Sequence, residues 1–151
     1  MQNLKILNSK EIKHIIALLE EHFGFNKKLD YAFLMNNKNR IFLIDKDFAM
    51  INSEKIRINT IGLYFGEING QDIRLSIEGS QLIGKDCTKN IIDLDETFAR
   101  EWLHGIDISY DYKDRGFVIL RSGNDFIGCG KAVDKKILNY IPKNRRVKSI
   151  D

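Results

Sequence analysis

A chain of 151 residues, 43% hydrophobic and 30% charged, has apolar material for one compact unit or two small ones sharing a core. Its longest apolar runs, such as residues 15–19, fall far short of the roughly 20 residues a membrane helix needs, and Lys5 and Lys10 bracket too short an apolar stretch for a cleavable signal, so a cytoplasmic location is expected. The net charge of +3 is unevenly spread: residues 131–151 carry seven Lys/Arg against two Asp, whereas residues 86–114 carry three Lys/Arg against eight Asp/Glu. One end can meet a polyanion and the other would repel it.

The first predicted element is a helix. Asn8 with Glu11 forms a capping-box pattern, Ile12, Ile15, Ile16, Leu19 and Phe23 recur at helical spacing, and Gly24 provides a stop. Short strands follow at residues 31–35, 41–44 and 48–51, separated by Asn-rich and Asp-rich turns, and read as a small antiparallel meander. Residues 60–68 and 72–77 flank Asn69-Gly70, a hairpin signal because both residues accept positive φ. Residues 78–83 suit a short helix stopped by Gly84. Asp93 with Glu96 predicts another, with Phe98, Trp102 and Leu103 facing inward and Gly105 at its end. Residues 107–114 read as an exposed loop. Three strands close the chain at residues 116–121, 126–131 and 136–140, before Pro142. The pattern predicts an α+β architecture: an N-terminal helix with a small antiparallel sheet over residues 1–59, then a partly closed β-barrel with short helices over residues 60–151.

No catalytic constellation emerges. Gly128-Cys129-Gly130-Lys131 lies within a strand, with no helix after it, so it fits neither a dinucleotide fingerprint nor a phosphate loop. Glycines there suit a close backbone approach. Cys87, Cys129, His14, His22 and His104 lack any metal-chelating spacing. Asp107, Asp111 and Asp114 lack the glycine and glutamate of a calcium loop, and Ser76, Ser80 and Ser122 lack a nucleophile elbow. Neither a metal nor a cofactor is expected, and the chain is read as a non-enzyme.

Three stretches carry a resemblance. They are Gly62-Leu63-Tyr64-Phe65-Gly66-Glu67; Trp102-Leu103-His104-Gly105; and a C-terminal series of residues 116–120, Gly128-Cys129-Gly130-Lys131 and Leu138-Asn139-Tyr140-Ile141-Pro142-Lys143 with Arg145 and Arg146. From residue 61 to 148 the chain resembles the PUA-like C-terminal domain of the NOL1/NOP2/Sun family of RNA cytosine-5 methyltransferases. The first sixty residues are more distantly similar to the extension that precedes such domains. The methyltransferase domain is absent, with no Pro-Cys nucleophile dipeptide and no glycine loop for S-adenosylmethionine. The resemblance implies a module that holds structured RNA, tRNA or rRNA, in RNA modification or ribosome assembly, alone or with a modifying enzyme such as an RNA methyltransferase in trans.

The candidate RNA contacts follow from chemistry and from that resemblance. Lys85, Arg121, Lys131, Lys143, Arg145 and Arg146 can neutralise phosphates, the arginines by forked hydrogen bonds. Asn124 and Asn139 can read base edges or a 2′-hydroxyl, Tyr140 can stack on an exposed base, and Gly79 and Gln81 allow close approach at the helix where PUA-like domains meet RNA. Two alternatives stand beside this. One is an accessory subunit whose acidic segment docks on a basic enzyme; the other is an enzyme with an unrecognised pocket.

Overall fold

In a computed structural model, residues 4–51 and 62–148 are described. Two five-stranded sheets and four α-helices make up the fold. The first sheet runs in the order β1 (Lys5–Ile6), β2 (Ala32–Met35), β3 (Arg40–Ile44), β4 (Leu63–Asn69), β5 (Asp72–Leu75), all neighbours antiparallel. The second has β6 (Ile91–Asp93), β8 (Gly116–Ser122), β9 (Asp125–Val133), β10 (Lys136–Leu138) and β7 (Ile108–Ser109) in that spatial order, with β6 parallel to β8.

Helix α1 (Ser9–Phe23) forms as its sequence demands. The Asn8 side chain accepts from the Glu11 N–H, the Glu11 carboxylate accepts from the Asn8 N–H, and Gly24 ends the helix at φ 66°. Its stripe of Ile15, Leu18, Leu19 and Phe23 packs with Phe33, Ile41, Leu43, Phe65, Ile73 and Leu75. The same core takes in Phe117, Ile119 and Cys129 from the second sheet, so the two sheets share one apolar interior.

Strand β8 explains how. Successive side chains in a strand point to opposite faces. Phe117 and Ile119 enter the shared core, while Val118 and Leu120 enter a second cluster with Ile92, Ala99, Trp102, Ala132 and Ile137. With both faces buried, its sequence is an uninterrupted apolar run rather than an alternation. This also corrects the expected barrel. One face of the second sheet is taken by the first sheet's core and the other by α4 (Glu96–Leu103), so the sheet stays open, with β6 and β7 as its edges.

Several local expectations shift. Residues 48–51 are not a strand but part of α2 (Lys46–Ile51), because Asp45 caps it: its carboxylate accepts from the Phe48 N–H at 3.1 Å. The β4–β5 turn is Gly70-Gln71 rather than Asn69-Gly70, since Asn69 pairs with Asp72; Gly70 alone takes positive φ, as a type II′ hairpin requires. Ile77 opens α3 (Ile77–Ile83), capped by Ser76, and Gly84 continues into a 3-10 turn through Asp86 instead of stopping it. Asp95, not Asp93, caps α4, because Asp93 lies in β6. Leu103 is exposed while Trp102 is fully buried. Residues 107–114 contribute the edge strand β7, and Tyr110 and Tyr112 pack on the second core. The expected boundary between residues 59 and 60 lies outside the described residues; beyond it β4 and β5 continue the first sheet.

The Gly128–Gly130 pair has a packing role. Trp102 lies over it: a Cβ on Gly130 would stand 2.6 Å from the indole, and one on Gly128 3.2 Å from its Nε1. Gly128 also holds φ 142°, which disfavours any side chain. The indole N–H donates to the Ile127 carbonyl at 3.3 Å.

Candidate nucleic-acid interface

The register of the first sheet places one carboxylate between two guanidinium groups. Arg40 pairs with Glu67 across β3–β4, and Glu67 with Arg74 across β4–β5. Arg40 Nε then donates to Glu67 Oε1 at 3.2 Å and Arg74 Nη2 to Oε2 at 3.1 Å. The Arg74 guanidinium lies 4.5 Å from the ring centroid of Tyr140. Tyr140 in turn is 6.0 Å from Phe117, over which Lys131 Nζ sits at 5.5 Å. Cations and aromatic rings thus form one chain of contacts from the first sheet to the second: Arg40 and Arg74 joined by Glu67, then Tyr140 and Phe117, then Lys131.

Of these groups, Arg40, Arg74 and Tyr140 border a cleft of about 370 Å³ between the sheets, and Phe117 and Lys131 follow beyond Tyr140. Arg40, Tyr64 and Arg74 line one side; Gly128, Cys129 and Tyr140 to Pro142 line the other, with Ser76 to Glu78 and Arg145 at its end. Arg145 Nη1 donates to Glu78 Oε2 at 2.7 Å, an ion pair that ties the C-terminal segment to α3. Burial raises the Tyr64 phenol above its ordinary range, against a smaller opposing effect of Arg74. Cys129, at the cleft wall, is pushed up to about 12 by burial, so its thiol is no nucleophile at neutral pH.

A second group of predicted contacts lies at the other end of α3. Ile77 and Gly84 bracket this helix, and they meet Gly128 and Phe126 of β9 respectively. From the cleft to Lys85 is on the order of 12 Å by helical rise. Lys85 follows Gly84, which backs on the Phe126 ring, and the Arg121 guanidinium lies 5.8 Å from the same ring. Arg121 is bound by both prongs to Asp93, Nε to Oδ1 at 2.6 Å and Nη2 to Oδ2 at 2.9 Å. Its hydrogen bond holds the Asp93 carboxyl below its ordinary range. Asn124, in the β8–β9 turn, and Gln81, on α3, are both exposed.

The remaining predicted contacts divide by what holds them. Lys85 and Lys143 are exposed and make no ion pair among the described residues. Gly79 is buried: a Cβ there would meet the Phe65 carbonyl at 2.1 Å, and its N–H donates to Ser76 Oγ. Arg146 Nε donates to the Ile141 carbonyl while its side chain covers Gly105. Asn139 uses its whole amide internally, donating to the Trp102 and Ile106 carbonyls at 2.8 and 3.1 Å and accepting from the Ile141 N–H at 2.8 Å. Those three bonds lock the C-terminal segment onto the end of α4, and leave no amide hydrogen for a base edge.

Asn139→Ala should therefore lower stability by about 2–3 kcal/mol, since it strands polar groups in a half-buried place. Its urea midpoint falls accordingly. An unchanged midpoint with weakened RNA binding would instead assign the side chain to the RNA.

Sequence reasoning missed Arg40, Tyr64 and Arg74. Each is a polar-tipped residue in a short apolar strand, and only the β3–β4–β5 register unites them.

Residues 89–147, about two fifths of the chain, match the family model described as the methyltransferase RsmF PUA domain. Of the three stretches that carried the resemblance, the second and third lie wholly within the match, while residues 62–67 lie outside it. The chain is 40% identical over 55 residues to ribosomal RNA small subunit methyltransferase F of Vibrio vulnificus strain YJ016, a stretch covering 36% of this chain and 12% of that protein. The same-named protein of Vibrio cholerae serotype O1 strain M66-2 is 42% identical over 53 residues, 34% of this chain and 11% of its own length. The match thus spans about an eighth of those relatives. By structure, a hypothetical protein of the hyperthermophilic archaeon Pyrococcus horikoshii OT3 superposes with a TM-score of 0.57 at 13% identity, covering 91% of this chain and 83% of its own. That likeness includes the first sheet as well as the second.

Proposed function

We propose that this chain, whose residues 89–147 carry a PUA domain of the RsmF type, is an RNA-binding protein that holds structured RNA without catalysing a reaction on it. The observation that carries the reading is the continuous run of cations and aromatic rings from Arg40 and Arg74, through Tyr140 at the cleft between the sheets, to Phe117 and Lys131. Lysine and arginine attract the phosphate backbone through counterion release, and aromatic rings accept unstacked bases. Lys85 and Lys143 extend the cationic surface beyond the cleft. Ribosomal RNA is the favoured class, because the relatives sharing this domain are named for it; tRNA is the alternative. The work takes place in the cytoplasm, in RNA modification or ribosome assembly, with any modifying enzyme acting in trans.

Electrostatics limits the surface as well as building it. Arg121 and Arg145 are matched by Asp93 and Glu78, so they steer RNA less than their count suggests. Affinity then rests mainly on the lysines and on the cleft.

Fluorescence polarisation against a structured rRNA hairpin, in rising KCl, tests the proposal. Binding that weakens linearly in log–log form is the expected result. No saturable binding at low salt, or equal affinity for double-stranded DNA of the same length, overturns it.

A further inference from the structure

We infer that the cleft between the two sheets is a pocket for one unpaired nucleobase, a reading that rests on the RNA-binding role proposed above. Its volume of about 370 Å³ falls in the range of small-ligand sites. Its charge pattern decides what enters. Arg40 and Arg74 share Glu67, and Arg145 is matched by Glu78. Three guanidinium groups are thus offset by two carboxylates, which leaves a phosphate little net attraction in this space. A base needs no net charge, and its polar edge carries both donors and acceptors.

The partners for such an edge are already in place. Each of the three arginines uses one N–H on a carboxylate, and a guanidinium carries five. Those left over can donate to ring nitrogens and carbonyls of a base. The oxygens of Glu78, which lines the cleft, can accept from exocyclic amines. Beside them Tyr140 is 38% exposed, yet packed against both the Arg74 guanidinium and Phe117. A ring fixed before binding loses little freedom when a base stacks on it. Bases inside a duplex have no free face, so the ligand is a bulged, looped or terminal nucleotide. Lys131 Nζ, beyond Phe117, then lies where the strand leaving the cleft can be met by a cation.

The test uses the full chain and hairpin RNAs that differ only in one bulged nucleotide, made as A, C, G and U, beside a fully paired control. Wild type should prefer at least one bulged hairpin by about fivefold or more, the lower range for base stacking on an aromatic ring. Tyr140→Ala should abolish that preference, while Tyr140→Phe retains it. A 2-aminopurine in the bulge should be quenched on binding to wild type, a readout that needs no variant to fold. Equal affinity for bulged and paired hairpins, an unquenched 2-aminopurine, or a preference that survives Tyr140→Ala overturns the pocket and leaves RNA binding standing. Absence of binding to every hairpin overturns both.

Discussion

Trp102→Ala should unfold much of the protein's stability, by about 3–5 kcal/mol, the usual cost of truncating a buried aromatic residue. The side chain is wholly buried, and with Ala99 it packs α4 on the cluster formed by β8, β9 and β10. Gly128 and Gly130 leave the space it fills, and their backbones cannot close over the void without moving β9. For a domain of this size the loss corresponds to a fall in Tm of roughly 10–20 °C. Trp102→Phe should cost less, because it keeps an aromatic ring and gives up mainly the bond to the Ile127 carbonyl. Calorimetry on both variants checks the ordering. A loss under about 1 kcal/mol for Trp102→Ala would mean that the second core is not organised around this residue.

The triple variant Lys85→Ala, Lys131→Ala, Lys143→Ala should have the largest effect on binding. None of the three is in an ion pair among the described residues, so each is available to a phosphate. If each meets one, the slope of log affinity against log salt should shrink by about two, at 0.7–0.9 for every phosphate lost. Affinity at low salt should fall roughly tenfold or more and differ less at high salt. Stability should change by about 0.5 kcal/mol or less, as for surface positions generally. Replacing Arg145 and Arg146 is a less clean experiment. Arg145 holds Glu78, and Arg146 supports the Ile141 carbonyl and covers Gly105, so their loss loosens the C-terminal segment as well. An unchanged salt slope in the lysine triple would take these residues out of the interface.

What the sequence makes legible is local. The capping box of Asn8 and Glu11, the apolar stripe behind it and Gly24 specify α1 without help from the rest of the chain. Trp102 as a core residue and the Gly128–Gly130 pair as a close approach are equally readable, because burial and small size are written in the residue types. Strand β8 can be found as an apolar run, though not which core each of its faces serves.

The illegible parts depend on distant partners. Residues 48–51 are four apolar or small residues that suit a strand or a helical turn equally; the Asp45 cap settles the matter. Strands β6 and β7, three and two residues long, exist because β8 and β10 offer them edges. The cleft was hidden for the same reason. Arg40 lies 27 residues before Glu67, and it joins Glu67 and Arg74 only through strand register. Charge counting also overstated the basic C-terminal end, since Arg145 meets an acid from α3, while Arg121 is neutralised by β6. The expected barrel failed on a fold-level fact: a sheet whose two faces are both taken by other elements has no interior of its own to enclose.

Ultraviolet crosslinking of the intact protein to a ribosomal RNA hairpin, followed by mass spectrometry of the joined peptides, bears most directly on whether the cleft and its lysines face RNA. The account predicts adducts on peptides that contain Tyr140, Lys131 and Arg74, and none on the acidic stretch from residue 107 to 114. Adducts confined to that acidic stretch, or to the face of α1 away from the sheets, would contradict it.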